Sequence, residues 1–144
     1  MSIFARSGDM NDFYRQAPVT TVILVLNTIM LGAIFLTGGF NGGSVIDWGV
    51  IRSSAIFDDG EYYRLITGAF LHGSILHYAS NMIIGVFVLS SALERIIGSK
   101  KFSIVYFGTL ILSSVAVSLL SSNDTLGASG AIFGVLGSLL FMTV

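Results

Sequence analysis

The chain has 144 residues, no cysteine and a formal net charge of −1, with 53% hydrophobic and only 10% charged residues. A soluble domain carries about a quarter charged residues, and a short chain has a large surface to cover with polar groups; the mean hydropathy of +0.86 therefore places it in the membrane class. The weak charge excludes a basic nucleic-acid-binding field. The missing cysteines exclude disulfides and thiolate metal sites and leave the redox compartment open. Two histidines, His72 and His77, are too few and too poorly phased for a histidine metal site, so neither metal nor cofactor is expected.

Residues 1–18 carry Arg6, Asp9, Asp12 and Arg15 and are expected to form a cytoplasmic tail. Pro18 suits the first turn of a helix, where N–H groups lack partners anyway. From Val19 to about Gly38 the sequence is apolar and uncharged. That is roughly the 20 residues needed to cross a bilayer, and the glycines at 38, 39, 42 and 43 end it. The run exceeds a signal-peptide core and no A-x-A-like site follows, so it reads as a retained anchor.

Residues 40–72 hold Asp47, Trp48, Arg52, Asp58, Asp59, Glu61, Tyr62, Tyr63 and Arg64. This stretch is too polar to span and rich in the aromatics that favour the headgroup level. It is expected to be a folded interfacial outer loop, anchored by Arg64 and its aromatic neighbours. His72, at its end, is expected to make a structural hydrogen bond. A second span is predicted over 74–97, with Glu94 and Arg95 solvated at its inner end. A third follows over 102–121 and a fourth over 127–144, joined by a polar loop at 121–126. With the N-terminus inside, five of the seven basic residues lie inside, as the positive-inside rule requires.

Ser129 opens the fourth predicted span within Gly127-Ala128-Ser129-Gly130. The first turn of a helix offers free N–H groups and the positive end of its dipole, a setting that can hold an oxyanion. Gly127 and Gly130 allow close approach of another backbone or a substrate carbonyl. Gly130, Gly134 and Gly137 form a small-residue face for helix packing. Alone, the motif is weak and better describes a helix cap with packing glycines. His77 and Asn81, four apart, share a helix face. Both are costly to expose to lipid and should point into the bundle at the depth of Ser129. An interhelical hydrogen-bonded pair is the alternative.

Taken in order, Tyr63-Arg64-Leu65, Phe70-Leu71-His72, His77-x-x-x-Asn81, Glu94-x-x-x-Gly98 and Gly127-Ala128-Ser129-Gly130 resemble the rhomboid family of intramembrane serine proteases. The resemblance runs from about Val19 onward. It departs at Tyr63, where the family more often has Trp. It implies an all-α, polytopic membrane helix bundle of at least six helices, here expected to be truncated within the fourth. It implies Ser129 as nucleophile and His77, Asn81 and the Ser129 N–H as oxyanion stabilisers. The general base would be a histidine on a sixth helix; no histidine follows His77 here. The loop over 40–72 would be the family's hairpin-like first loop, half-sunk in the outer leaflet.

The implied activity is endopeptidase cleavage of membrane proteins at or near their transmembrane segments by a Ser–His dyad. The expected partners are a transmembrane substrate, the lipid bilayer and the missing C-terminal helices, and no nucleic acid. The expected location is a bacterial plasma membrane, multi-pass, with the N-terminus cytoplasmic. Residues 1–144 alone are expected to be inactive. Two other readings stay open: a catalytically inactive rhomboid-like protein that binds client helices, and half of a transporter with His77 and Asn81 lining its path.

Overall fold

The computed structural model describes residues 10–143, so the expectations placed on Arg6 and Asp9 lie outside the described residues. Two helices open the chain, α1 (Met10–Gln16) and α2 (Pro18–Leu36). Pro18 starts α2 with no side-chain cap from Ala17, which leaves the next N–H groups without helical partners. A carboxylate from elsewhere takes them. Glu94 Oε1 accepts from the Val19 N–H at 2.9 Å and Oε2 from the Thr20 N–H at 2.8 Å. The Ser99 hydroxyl donates to Oε1 at 2.7 Å.

Glu94 is therefore buried, at 1% exposure, and not solvated as its position at the end of a span predicts. Two charge-assisted hydrogen bonds at the positive end of a helix offset the loss of water. Arg95 stays exposed, with its guanidinium 5.5 Å over the Phe13 ring. Phe13 in turn stacks on Phe87 at 4.9 Å. The end of the predicted tail is thus a helix packed on the second long helix.

The stretch over 40–72 folds as α3 (Ser44–Gly49), α4 (Ser53–Phe57), α5 (Arg64–Thr67) and a 3-10 turn (Gly68–Phe70). Arg64 pins it from within. Its buried guanidinium donates to the carbonyls of Asp47 and Val50, at 2.8 and 3.0 Å, and pairs with Glu61 at 2.6 Å. Trp48 and Tyr63 stack at 5.3 Å on the exposed side.

The second long helix, Ile75–Ile97, begins as α6 (Ile75–Ser80), widens to a π-helix (Asn81–Ser90) and closes as α7 (Ser91–Ile97). The Ser74 hydroxyl caps it, accepting the His77 N–H at 3.1 Å. Next come α8 (Ser99–Leu120) and α9 (Ser129–Phe141). Among the described residues, Pro18–Leu36, Ile75–Ile97 and Ser99–Leu120 are long and apolar enough to cross a membrane; α9, at 13 residues, is shorter.

The long helices bury many of their polar residues and turn many large apolar ones outward. Thr20, Asn27, Ser90, Ser91, Glu94, Ser114 and Ser118 are buried, whereas Leu36, Leu76, Ile104, Leu112 and Leu120 face out. Contiguous apolar surface of this extent needs an apolar solvent. The core lies where α2, the π segment, α8 and α9 meet, around Ile23, Val86, Phe102, Tyr106, Leu110 and Val135. Glycines set the closest approaches. A Cβ at Gly130 would collide with Ser113, one at Gly134 with Thr109 and one at Gly85 with Ile132. The predicted glycine face thus packs α9 on α8 through two of its three members, while Gly137 meets nothing.

Candidate active site

Ser129 is the first residue of α9 and is half-buried. Its approach is set by Gly127, whose φ of +117° is open to glycine and strained for any other residue. The same residue lies close against the second long helix. A Cβ at Gly127 would lie 2.7 Å from His77 Cε1, 2.8 Å from His77 Nε2 and 3.5 Å from Asn81 Nδ2. His77 and Asn81, one turn apart, therefore reach the same glycine, two residues before Ser129.

The protonation of His77 follows from its other nitrogen. The Gly73 N–H points at His77 Nδ1 at 3.4 Å, a long contact that favours the neutral tautomer with its proton on Nε2. That N–H is the one beside Gly127. The Asn81 Nδ2 atom is shielded from solvent and has no hydrogen-bond partner among the described residues. Unsatisfied buried donors are rare in folded proteins. Two N–H donors, one from each side chain, thus face the helix start that carries Ser129.

His72 lies beneath this pair. It is buried, and its ring stands edge-on to His77 at 5.0 Å and to Tyr78 at 5.4 Å. Burial, and secondarily the neighbouring His77, push its pKa down to about 4. The structural hydrogen bond expected of His72 is not made at Nε2, which has no partner among the described residues; the residue is held by ring contacts. Gly130 turns its open face to Ser113 and serves helix packing. No group of three His, Asp or Glu side chains converges as a metal site would require, among the described residues.

Three contacts to the serine region are not legible in the motifs. The Gly127 N–H donates to the Gly68 carbonyl at 2.8 Å. Ile51 and Thr125 form an isolated antiparallel bridge. Arg52 pairs with Asp124 at 2.8 Å. One signal was available: Asp124 is the only acid after Glu94, and Arg52 is one of two basic residues between Arg15 and Arg95.

The helices and this site define a polytopic helical membrane protein with a serine at the mouth of one helix. Comparison with known proteins gives the family. The Rhomboid domain profile matches residues 59–144. The chain is 34% identical over 146 residues to YdcA of Bacillus subtilis, covering 99% of this chain and 71% of that protein. It is 32% identical over 126 residues to the rhomboid protease GluP of the same organism, covering 87% of this chain and 24% of GluP. It is 25% identical over 123 residues to the rhomboid protease GlpG of Yersinia pestis, covering 85% of this chain and 42% of GlpG. No solved structure gives a significant match. The chain belongs to the rhomboid family and is an integral membrane protein.

Proposed function

We propose that residues 1–144 carry the nucleophile and the oxyanion donors of an intramembrane serine endopeptidase that cuts membrane proteins at or near their transmembrane segments. The observation that supports it most is the meeting of His77 Nε2 and Asn81 Nδ2 at Gly127, beside Ser129. The reading also draws on the names of the relatives, GluP and GlpG among them.

In this reading the Ser129 Oγ attacks the scissile carbonyl carbon while its proton passes to a histidine base. That base is expected from a sixth helix outside residues 1–144, because this reading assigns His77 to the oxyanion and His72 is buried. The carbonyl oxygen gains the negative charge. It is met by the His77 Nε2–H, the Asn81 Nδ2–H and the Ser129 N–H, worth about 10²–10³ in rate per donor. The base then protonates the leaving amine, and water hydrolyses the acyl-serine to return the hydroxyl. No acid completes a triad. The cytoplasmic N-terminus finds support in Arg95, Lys100 and Lys101, which stand at or just beyond the Glu94 end, opposite Arg52 and Arg64.

A second reading, a client-binding relative without activity, is favoured by one fact alone: of the two histidines in this stretch, His72 is buried and His77 Nδ1 already accepts from Gly73. The deciding experiment labels the natural protein in its own membrane with a fluorophosphonate and maps the adduct. Labelling that maps to Ser129 and vanishes in Ser129→Ala supports the protease. A wild type that stays unlabelled while folded rejects it in favour of the binder.

A further inference from the structure

The segment leading into Ser129 is fastened to the outer connection at successive points. The Ser53 hydroxyl sits 2.8 Å from the carbonyls of both Ser118 and Ser121, where α8 ends. Ile51 and Thr125 exchange both backbone hydrogen bonds, at 2.9 and 3.0 Å. Gly68, which packs face-on against Ile51, accepts the Gly127 N–H. Between these contacts lies one side-chain clamp. The Arg52 guanidinium grips Asp124 with two nitrogens, Nε at 3.1 and 3.2 Å and a terminal nitrogen at 2.8 Å. The same terminal nitrogen donates to Asp47 at 3.0 Å, so α3 holds the guanidinium in place from behind.

We propose that Arg52 is a positioning residue for Ser129: by clamping Asp124 it keeps residues 124–127 on the Ile51 bridge, and thereby sets Ser129 against His77 and Asn81. The inference rests on the reading of Ser129 as nucleophile. An isolated exposed ion pair contributes little. This one is two-pronged, which adds geometric specificity, and it flanks a bridge of only one residue pair. A single bridge has no ladder beside it to hold register. Gly127 also leaves little room, because a Cβ there would lie 2.7 Å from the His77 ring. A small slip at Asp124 therefore becomes a misplaced Ser129 without unfolding any helix.

The test uses the natural protein in its native membrane. The rate of fluorophosphonate labelling at Ser129 is measured for wild type, Arg52→Ala, Asp124→Asn, the double variant and Arg52→Lys. Amide hydrogen exchange of residues 124–127 and the unfolding temperature are followed in parallel. Arg52→Ala and Asp124→Asn should each slow labelling roughly 3- to 10-fold and speed local exchange. The double variant should lose no more than either single one, and Arg52→Lys should fall between. Three results overturn the inference: Arg52→Ala labelling and exchanging like wild type, losses that multiply in the double variant, or a lowered unfolding temperature with unchanged labelling of the folded fraction. A wild type that does not label at Ser129 rejects the nucleophile reading instead. Local exchange then still decides whether Arg52 holds the segment.

Discussion

Glu94 Oε2 and the Thr20 backbone N–H meet at 2.8 Å across 74 residues of sequence. With the Val19 N–H and the Ser99 hydroxyl on Oε1, one carboxylate joins the start of α2, the end of α7 and the start of α8. Replacing it by Ala leaves the buried Thr20 N–H, the partly buried Val19 N–H and a partly buried hydroxyl without their acceptor, at about 1–3 kcal/mol for the buried group and less for the two nearer water. Glu94→Ala should destabilise the bundle by about 2–5 kcal/mol, and Glu94→Gln by clearly less. Unfolding in a detergent–SDS titration reads this. Equal stability of Glu94→Ala and wild type would show the cap to be dispensable.

Much of the site was legible because it is local. The four-residue spacing of His77 and Asn81 dictates a shared face, and a glycine two before the serine invites a close neighbour. The burial of Glu94 is not legible, because its partners are backbone N–H groups far away in sequence. The signal lay in Pro18, a helix start with Ala17 before it and no capping side chain of its own. The widening of the second helix over Asn81–Ser90 has no comparable mark in the apolar run that forms it. The outer connection was read as folded and aromatic. Its attachment to the serine segment depends on carbonyls and N–H groups that every residue possesses, so side-chain patterns could not locate it.

Gly127 offers a sharper probe than the serine itself. Its φ of +117° and the nearness of the His77 ring both exclude a side chain. Gly127→Ala must shift the His77 ring or the backbone, since a Cβ would lie 2.7 Å from Cε1. Phosphonate labelling at Ser129 should fall at least roughly tenfold, as expected when a positioned group moves by about an ångström. Near-wild-type labelling of Gly127→Ala would mean that His77 stands elsewhere in the working protein.

On the protease reading, His77→Ala and Asn81→Ala should each slow peptide cleavage by the whole protein by about 10²–10³ while leaving substrate binding nearly unchanged. The His77 tautomer can be read directly, because the chain holds only two histidines. In ¹⁵N-histidine-labelled residues 1–144 carrying His72→Phe, the neutral form of the one remaining ring should hold its proton on Nε2. A proton on Nδ1 would contradict the hydrogen bond from Gly73.

His72 makes stability depend on acid. Burial lowers its pKa from 6.5 to about 4, so the folded state disfavours the charged ring. The unfolded chain then binds the proton first. Stability from the neutral ring is fully present above pH about 6.5 and is lost as pH falls from there to about 4. Two to three pKa units correspond to about 3 kcal/mol. Wild type should lose about that much more than His72→Phe across this window. Parallel pH profiles for the two proteins would rule it out.

The attachment of the serine segment to the outer connection also orders assembly in time. The pairs Ile51–Thr125 and Gly68–Gly127 join parts of the chain far apart in sequence, whereas α8 and α9 are neighbours and can pair early. Contacts of long sequence separation form late because their loops must close first. During refolding the helices should therefore appear before Ser129 can be labelled. A serine that became reactive as fast as the helices formed would contradict this. On the reading of Ser129 as nucleophile, its reactivity would come as the last event of folding, and a half-made bundle would not expose a reactive serine to its own membrane.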